Sequence, residues 1–168
     1  MSDLAPEPFA LPPLAQQGGR KHGPAVALIL VGLLAAGIAE CRPGRRLSDV
    51  SHAVQEVTEA AGFTVVRALV GHGVGRAMHE DPQIPNYGSP GRGPELRPGM
   101  VFAIEPMITA GTYEIYLHDD DWSISTVDGS LAAHFEHTAA ITEGDPRILT
   151  WPHPSVAAPL VRHAGANS

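Results

Sequence analysis

Gly71-His72-Gly73-Val74-Gly75-Arg76-Ala77-Met78-His79-Glu80-Asp81-Pro82 is the stretch whose reading decides the rest of the chain. Two histidines stand seven residues apart, and three glycines surround the first. Glycine lets a backbone bend sharply and lets a large group approach it closely. The apolar run Phe63-Thr64-Val65-Val66-Arg67-Ala68-Leu69-Val70 leads in and predicts a strand over 63–70. Such a strand, ending in a glycine-rich turn, presents His72 to its surroundings. Taken alone, the pattern fits a plain glycine turn with two surface histidines equally well. What lies downstream decides between them.

Met100-Val101-Phe102-Ala103-Ile104-Glu105-Pro106-Met107-Ile108 predicts a strand with one carboxylate among apolar neighbours. A further strand is expected from Ala132 through His134-Phe135-Glu136-His137-Thr138 to Ile141. A carboxylate set in apolar surroundings is costly unless it is paired or binds a cation. Glu105 and Glu136, together with His72, therefore point to one convergent metal site. Imidazole and carboxylate ligands suit Zn, Mn, Fe or Co. The alternative is that both glutamates face outward or pair with arginines. His134 and His137 do not make a second site, because on a strand they point to opposite faces. Arg76 stands where a dinucleotide fingerprint needs glycine, no His-Glu-x-x-His occurs, and Ser123 and Ser125 lie in no nucleophile elbow.

The 168 residues suffice for one domain with a core, and a net charge of −7 argues against nucleic acid or an acidic membrane surface as partner. The single cysteine, Cys41, excludes an internal disulfide framework and fits a reducing cytoplasm. Residues 1–24, with five prolines, read as a disordered arm; 25–151 as a partial domain; and 152–168 as a flexible tail. Ala25 to Ala39 is fifteen residues without a polar side chain, which predicts a helix over 25–41, stopped by Arg42-Pro43-Gly44. Being apolar all round, it must be buried or paired. A buried helix is favoured over an export or membrane element. The Pro-rich leader holds Asp3 and Glu7, and a span needs about 20 apolar residues. Ser48 is the expected cap of a second helix, with Val50, Ala53, Val54, Val57, Ala60 and Ala61 at helical spacing and Gly62 as its stop. Residues 81–99, with five prolines and four glycines, read as a long surface loop. The segments 114–118 and 122–127 read as an antiparallel pair around a turn at Asp119-Asp120-Asp121.

Three ordered motifs carry a resemblance: Gly71-His72-Gly73-Val74-Gly75-Arg76 with His79-Glu80-Asp81-Pro82; Pro98-Gly99-Met100-Val101-Phe102-Ala103-Ile104-Glu105-Pro106-Met107; and His134-Phe135-Glu136-His137-Thr138. From about Leu34 to about Thr150 the chain resembles type I methionine aminopeptidases. Glu105-Pro106-Met107 and Phe135-Glu136-His137-Thr138 favour this branch over the related proline-specific peptidases. The resemblance implies an α+β, pita-bread (creatinase/aminopeptidase-like) fold, of which this chain matches the second half: an antiparallel curved sheet flanked by helices. It implies a divalent-metal enzyme that hydrolyses the initiator methionine from new proteins in the cytoplasm. Its partners would be N-terminal methionyl peptides and, with nascent chains, the ribosome. His72, Glu105 and Glu136 match three of the family's five metal ligands. Glu105 also matches its general base, and His79 the histidine that hydrogen-bonds the scissile peptide. Met78 and Trp122 fall where the family lines its methionine pocket.

The chain departs from the family in what the family's first half supplies, including a site histidine and most of the methionine-pocket residues. The remaining two ligands are aspartates ten residues apart, and before residue 49 the only aspartate here is Asp3. Of the two metals the family holds, at most one is well supported. The alternative function is a catalytically inactive remnant that binds a metal or a protein.

Overall fold

The computed structural model describes residues 23–151. Except for Gly23 and Pro24, which open the first helix, the expected arm and tail lie outside the described residues. Helix α1 (Gly23–Ala39) and helix α2 (Leu47–Ala60) pack against each other. Ile29, Leu30, Leu33, Leu34 and Ile38 of α1 are buried, while Leu28 and Val31 of the same helix stay exposed. The apolar segment is thus buried on one face, not all round. Among the described residues, no helix is long and apolar enough to cross a membrane. The crossing of the two helices is close because Gly37 has no side chain. A Cβ there would meet Val54 Cγ2 at 2.7 Å.

The expected cap of α2 is corrected. The helix starts two residues earlier, with Arg46 at its N-cap, and Ser48 lies inside the first turn. The Ser48 hydroxyl is used elsewhere, accepting the Arg92 N–H at 2.7 Å. Asp49 does the capping work instead, accepting the Arg46 N–H at 2.7 Å and the Gly91 N–H at 2.7 Å. These bonds tie the loop beyond residue 85 to the helix start.

Ten short strands follow: β1 (Thr64–Val65), β2 (Gly71–Gly73), β3 (Glu80–Ile84), β4 (Val101–Ile104), β5 (Met107–Thr109), β6 (Ile115–Leu117), β7 (Ile124–Thr126), β8 (Ala132–His134), β9 (His137–Ala140) and β10 (Arg147–Ile148). They form a five-stranded sheet in the order β10-β9-β4-β2-β3, a three-stranded sheet β1-β5-β8 and the hairpin β6-β7, with every pair antiparallel. The hairpin is as expected, with Asp121 at its tip in the left-handed region. The strand expected over 63–70 is cut to Thr64–Val65, and the glycine stretch is itself a strand. The loop expected from residue 81 begins only at Pro85, because 80–84 pair as β3. Pro82 is tolerated there since β3 is an edge strand. The core lies between the helices and the large sheet, with Phe102, Ile104, Ile84 and Ala139 under Leu33, Leu34, Val50 and Val54. Each large aliphatic side chain buried in this way contributes about 1.5–3 kcal/mol.

Candidate metal centre

His72 owes its position to the two glycines beside it. β2 runs between β3 and β4, with His72 paired to Gln83 on one side and Ala103 on the other. A Cβ at Gly71 would collide with the Ala103 carbonyl oxygen, and one at Gly73 with that of Asp81. The glycines are therefore required for close backbone approach between strands and not for a turn. Neither adopts positive φ.

The carboxylates sit where two paired strands change sheets. The strand expected over 100–108 breaks after Ile104: β4 belongs to the large sheet and β5 to the small one. Pro106 has no N–H to continue the ladder. The strand expected from 132 to 141 breaks likewise, with β8 in the small sheet and β9 in the large one. Ile104 pairs with His137 and Met107 with His134. The same register on both sides of the break sets Glu105 opposite Glu136. Asn86, fully buried, fixes the bend by donating from Nδ2 to the Glu105 carbonyl at 3.3 Å.

Four titratable side chains gather around Glu105. His72 Nε2 lies 3.4 Å from Glu105 Oε1, and His134 Nε2 lies 3.8 Å from Oε2. The His79 ring stacks on His72 with centroids 4.2 Å apart. Burial, and after it the charge of Glu136, pushes the Glu105 carboxyl above its ordinary range, while His72, His134 and His79 pull it down. His72 Nδ1 lies 2.9 Å from the Gly73 carbonyl oxygen, which can only accept. In the neutral ring, Nδ1 therefore carries the proton and Nε2 is left as an acceptor facing a carboxylate oxygen. A cation between two such acceptors relieves their repulsion, and a backbone-anchored imidazole is the usual form of a metal-ligating histidine. The donor chemistry of His72, Glu105 and Glu136 therefore suits a divalent ion. Among the described residues, however, no three His, Cys, Asp or Glu side chains close around one point where a metal ion could sit. These side chains form one wall of a centre.

The structure thus brings together His72, His79, Glu105 and Glu136. Met78 and Trp122 both lie at the surface. Met78 is 75% exposed in the β2–β3 connection, and Trp122 is 86% exposed at the tip of the β6–β7 hairpin. An apolar cleft of about 650 Å³ does open beside the wall, between Val66, Met107, Ile115, Ile124, Leu131 and His134, and neither of the two residues lines it.

Two contributors escaped the sequence reading. His134 is three residues from His137, and those two do diverge, since His137 Nδ1 lies 2.8 Å from the Thr150 hydroxyl. The usable signal was the other spacing: His134 is two residues from Glu136 and shares its parity on the strand. Asn86 carried no signal, because an asparagine in a Pro/Gly-rich stretch reads as a turn residue.

The model of metallopeptidase family M24 matches residues 26–143. Over 114 residues the chain is 55% identical to a methionine aminopeptidase of Clostridium acetobutylicum and 57% identical to methionine aminopeptidase 1 of Bacillus subtilis, in both cases over 68% of this chain and 46% of the relative. Among solved structures, the methionine aminopeptidase of Thermotoga maritima superposes with a TM-score of 0.76 at 50% identity, over 79% of this chain and 53% of that one. A prolidase from Pyrococcus furiosus, at 22% identity and a TM-score of 0.59, shares the fold alone. The chain spans about half the length of the curated relatives it matches. Over the part it shares with them, it has their α+β, pita-bread fold.

Proposed function

Because the chain belongs to metallopeptidase family M24, we propose that it supplies a metal-holding wall for hydrolytic removal of methionine from the amino terminus of peptides. His72, Glu105 and Glu136 would hold a divalent cation, Co, Mn, Fe or Zn, with one such ion supported by this chain. The ion, when bound, acidifies water and polarises a peptide carbonyl. Glu105 is suited to handle the proton of that water, because its carboxylate stands in the same wall, 3.4 Å from His72 Nε2. His79, held against His72 and exposed on its other side, is free to donate a hydrogen bond that strengthens as charge develops on the substrate. Met78 and Trp122 offer exposed apolar surface to a methionine side chain. The substrates on this reading are methionyl peptides of new chains, met at the ribosome and in the cytoplasm.

The observation that carries the reading is the register that sets Glu105 against Glu136 beside His72. The test is the metal content of the purified protein, with His72→Ala and Glu136→Ala as controls. A chain that takes up no divalent metal sinks it. A second reading, a module that binds metal or a protein without turnover, is favoured by the absence of a closed three-ligand cluster among the described residues. Methionine release from Met-Gly peptides with added Co or Mn separates the two. Release that is lost in His79→Ala supports the enzyme, and metal binding without release supports the module.

A further inference from the structure

The connection from β2 to β3, residues 74–79, carries His79 and is tied down at three points. The Val74 N–H donates to the Val101 carbonyl at 2.9 Å, and the Gly75 N–H to the Ala77 carbonyl at 3.2 Å. The third tie is a side chain. Glu80, the first residue of β3, reaches back and accepts the Ala77 N–H on Oε1 at 2.7 Å. A backbone N–H bonded to a carboxylate makes a charge-assisted bond, stronger than a neutral one. It closes the four-residue turn Ala77-Met78-His79-Glu80, with His79 inside it. Gly75 gives the carboxylate its seat, since a Cβ there would meet Oε1 at 2.9 Å and overlap Oε2. Among the described residues, no basic side chain lies within ion-pair distance of Glu80, so its charge serves the backbone.

The ladder does not supply the placement of His79. The register of β2 and β3 shifts after His72, and Gly73 pairs with Glu80, which leaves His79 outside the paired residues. Its ring nevertheless lies 4.2 Å, centroid to centroid, from that of His72. We propose that Glu80 is a positioning residue for His79: by closing the 77–80 turn, its carboxylate holds the His79 ring against His72. The use of His79 in a reaction rests on the preceding reading, whereas the hold itself needs neither metal nor substrate. Glu80 acts through the backbone and touches no reacting atom. Glutamine keeps an oxygen that can accept the Ala77 N–H, and alanine does not.

The test is nuclear magnetic resonance of the full chain without added metal, its histidine rings labelled with carbon-13. Wild type, Glu80→Ala and Glu80→Gln are compared, with His72→Ala and His79→Ala to assign the signals. Wild type is expected to show a through-space cross-peak between the two rings. Glu80→Ala should lose it, and Glu80→Gln should restore it. Melting temperatures of both variants should stay near wild type, because Glu80 is exposed. With Co or Mn added, Glu80→Ala should lower kcat on Met-Gly peptides about a hundredfold with KM little changed, and Glu80→Gln should recover most of it. A cross-peak absent from wild type or retained in Glu80→Ala overturns the proposal. So does a Glu80→Gln variant as loose as Glu80→Ala. Turnover unchanged where the cross-peak is lost removes Glu80 from the reaction. A wild type without turnover overturns the preceding reading alone, since the cross-peak still decides what Glu80 holds.

Discussion

His72 and His79 stack with their ring planes 49° apart, across the connection that joins β2 to β3. The two rings have different freedom. His72 is anchored by its Nδ1 to the Gly73 carbonyl, while His79 has an exposed outer face. The anchored ring is suited to a metal and the other to a substrate.

This asymmetry predicts a split between two variants. His72→Ala should lower bound divalent metal about tenfold or more, as loss of a ligand does. His79→Ala should keep its metal and melt near the wild-type temperature. Metal analysis by plasma mass spectrometry on both proteins checks it. Equal metal loss in both would show that the rings act as one unit.

Gly71→Ala should destabilise the fold by about 1–3 kcal/mol, the usual cost of forcing an extra methyl into packed structure. The new Cβ collides with the Ala103 carbonyl, so β2 must move away from β4. Gly144→Ala is the control: a Cβ there meets nothing within 4 Å. Its change should stay within about 0.5 kcal/mol. Urea unfolding of the two variants measures the difference.

Asp49 predicts a pH effect. The backbone N–H of Arg46, and after it that of Gly91, hold its carboxyl below the ordinary value of 3.8. A carboxyl lowered by folding stabilises the native state above its unfolded pKa. That stabilisation is lost as pH falls through the lower folded value. Asp49→Asn should therefore cost roughly 1 kcal/mol near neutral pH, the scale of a lost hydrogen bond. The gap to wild type should close as the pH drops below 3.8. Thermal melts of both proteins across acidic pH check this. A constant gap would mean that shape, not charge, is what Asp49 contributes.

Trp122→Ala should leave stability within about 0.5 kcal/mol of wild type, because an exposed side chain packs against little. On the proposed function it should weaken binding of methionyl peptides several-fold. Fluorescence titration and a thermal melt together measure both sides. Unchanged peptide affinity would remove Trp122 from the site.

The helices were legible in the sequence, because long apolar periodicity and glycine stops need no tertiary information. Gly62 ends α2 with φ of 82°, as a C-terminal glycine does. The glycine stretch was legible as important but not as a strand. A glycine serves either positive φ or close approach, and only the neighbouring carbonyls of Ala103 and Asp81 decide which. Ser48 misled because its hydroxyl had a distant partner, Arg92, in a loop 44 residues away. Glu105 and Glu136 stood out as carboxylates among apolar residues. Their opposition did not, since it depends on a register that no single strand encodes. Pro106 was the one local sign that β4 had to end.

The interruption shared by β4–β5 and β8–β9 separates chemistry from architecture. Residues 105 and 136 belong to no ladder, so exchanging their side chains breaks no inter-strand hydrogen bond in either sheet. Such a seam is an exchangeable socket. Two new side chains placed there would arrive already opposed, on a scaffold whose pairing stays the same. A protein engineer seeking a different ion, or a different reaction, could rewrite this pair and leave the strands on both sides untouched.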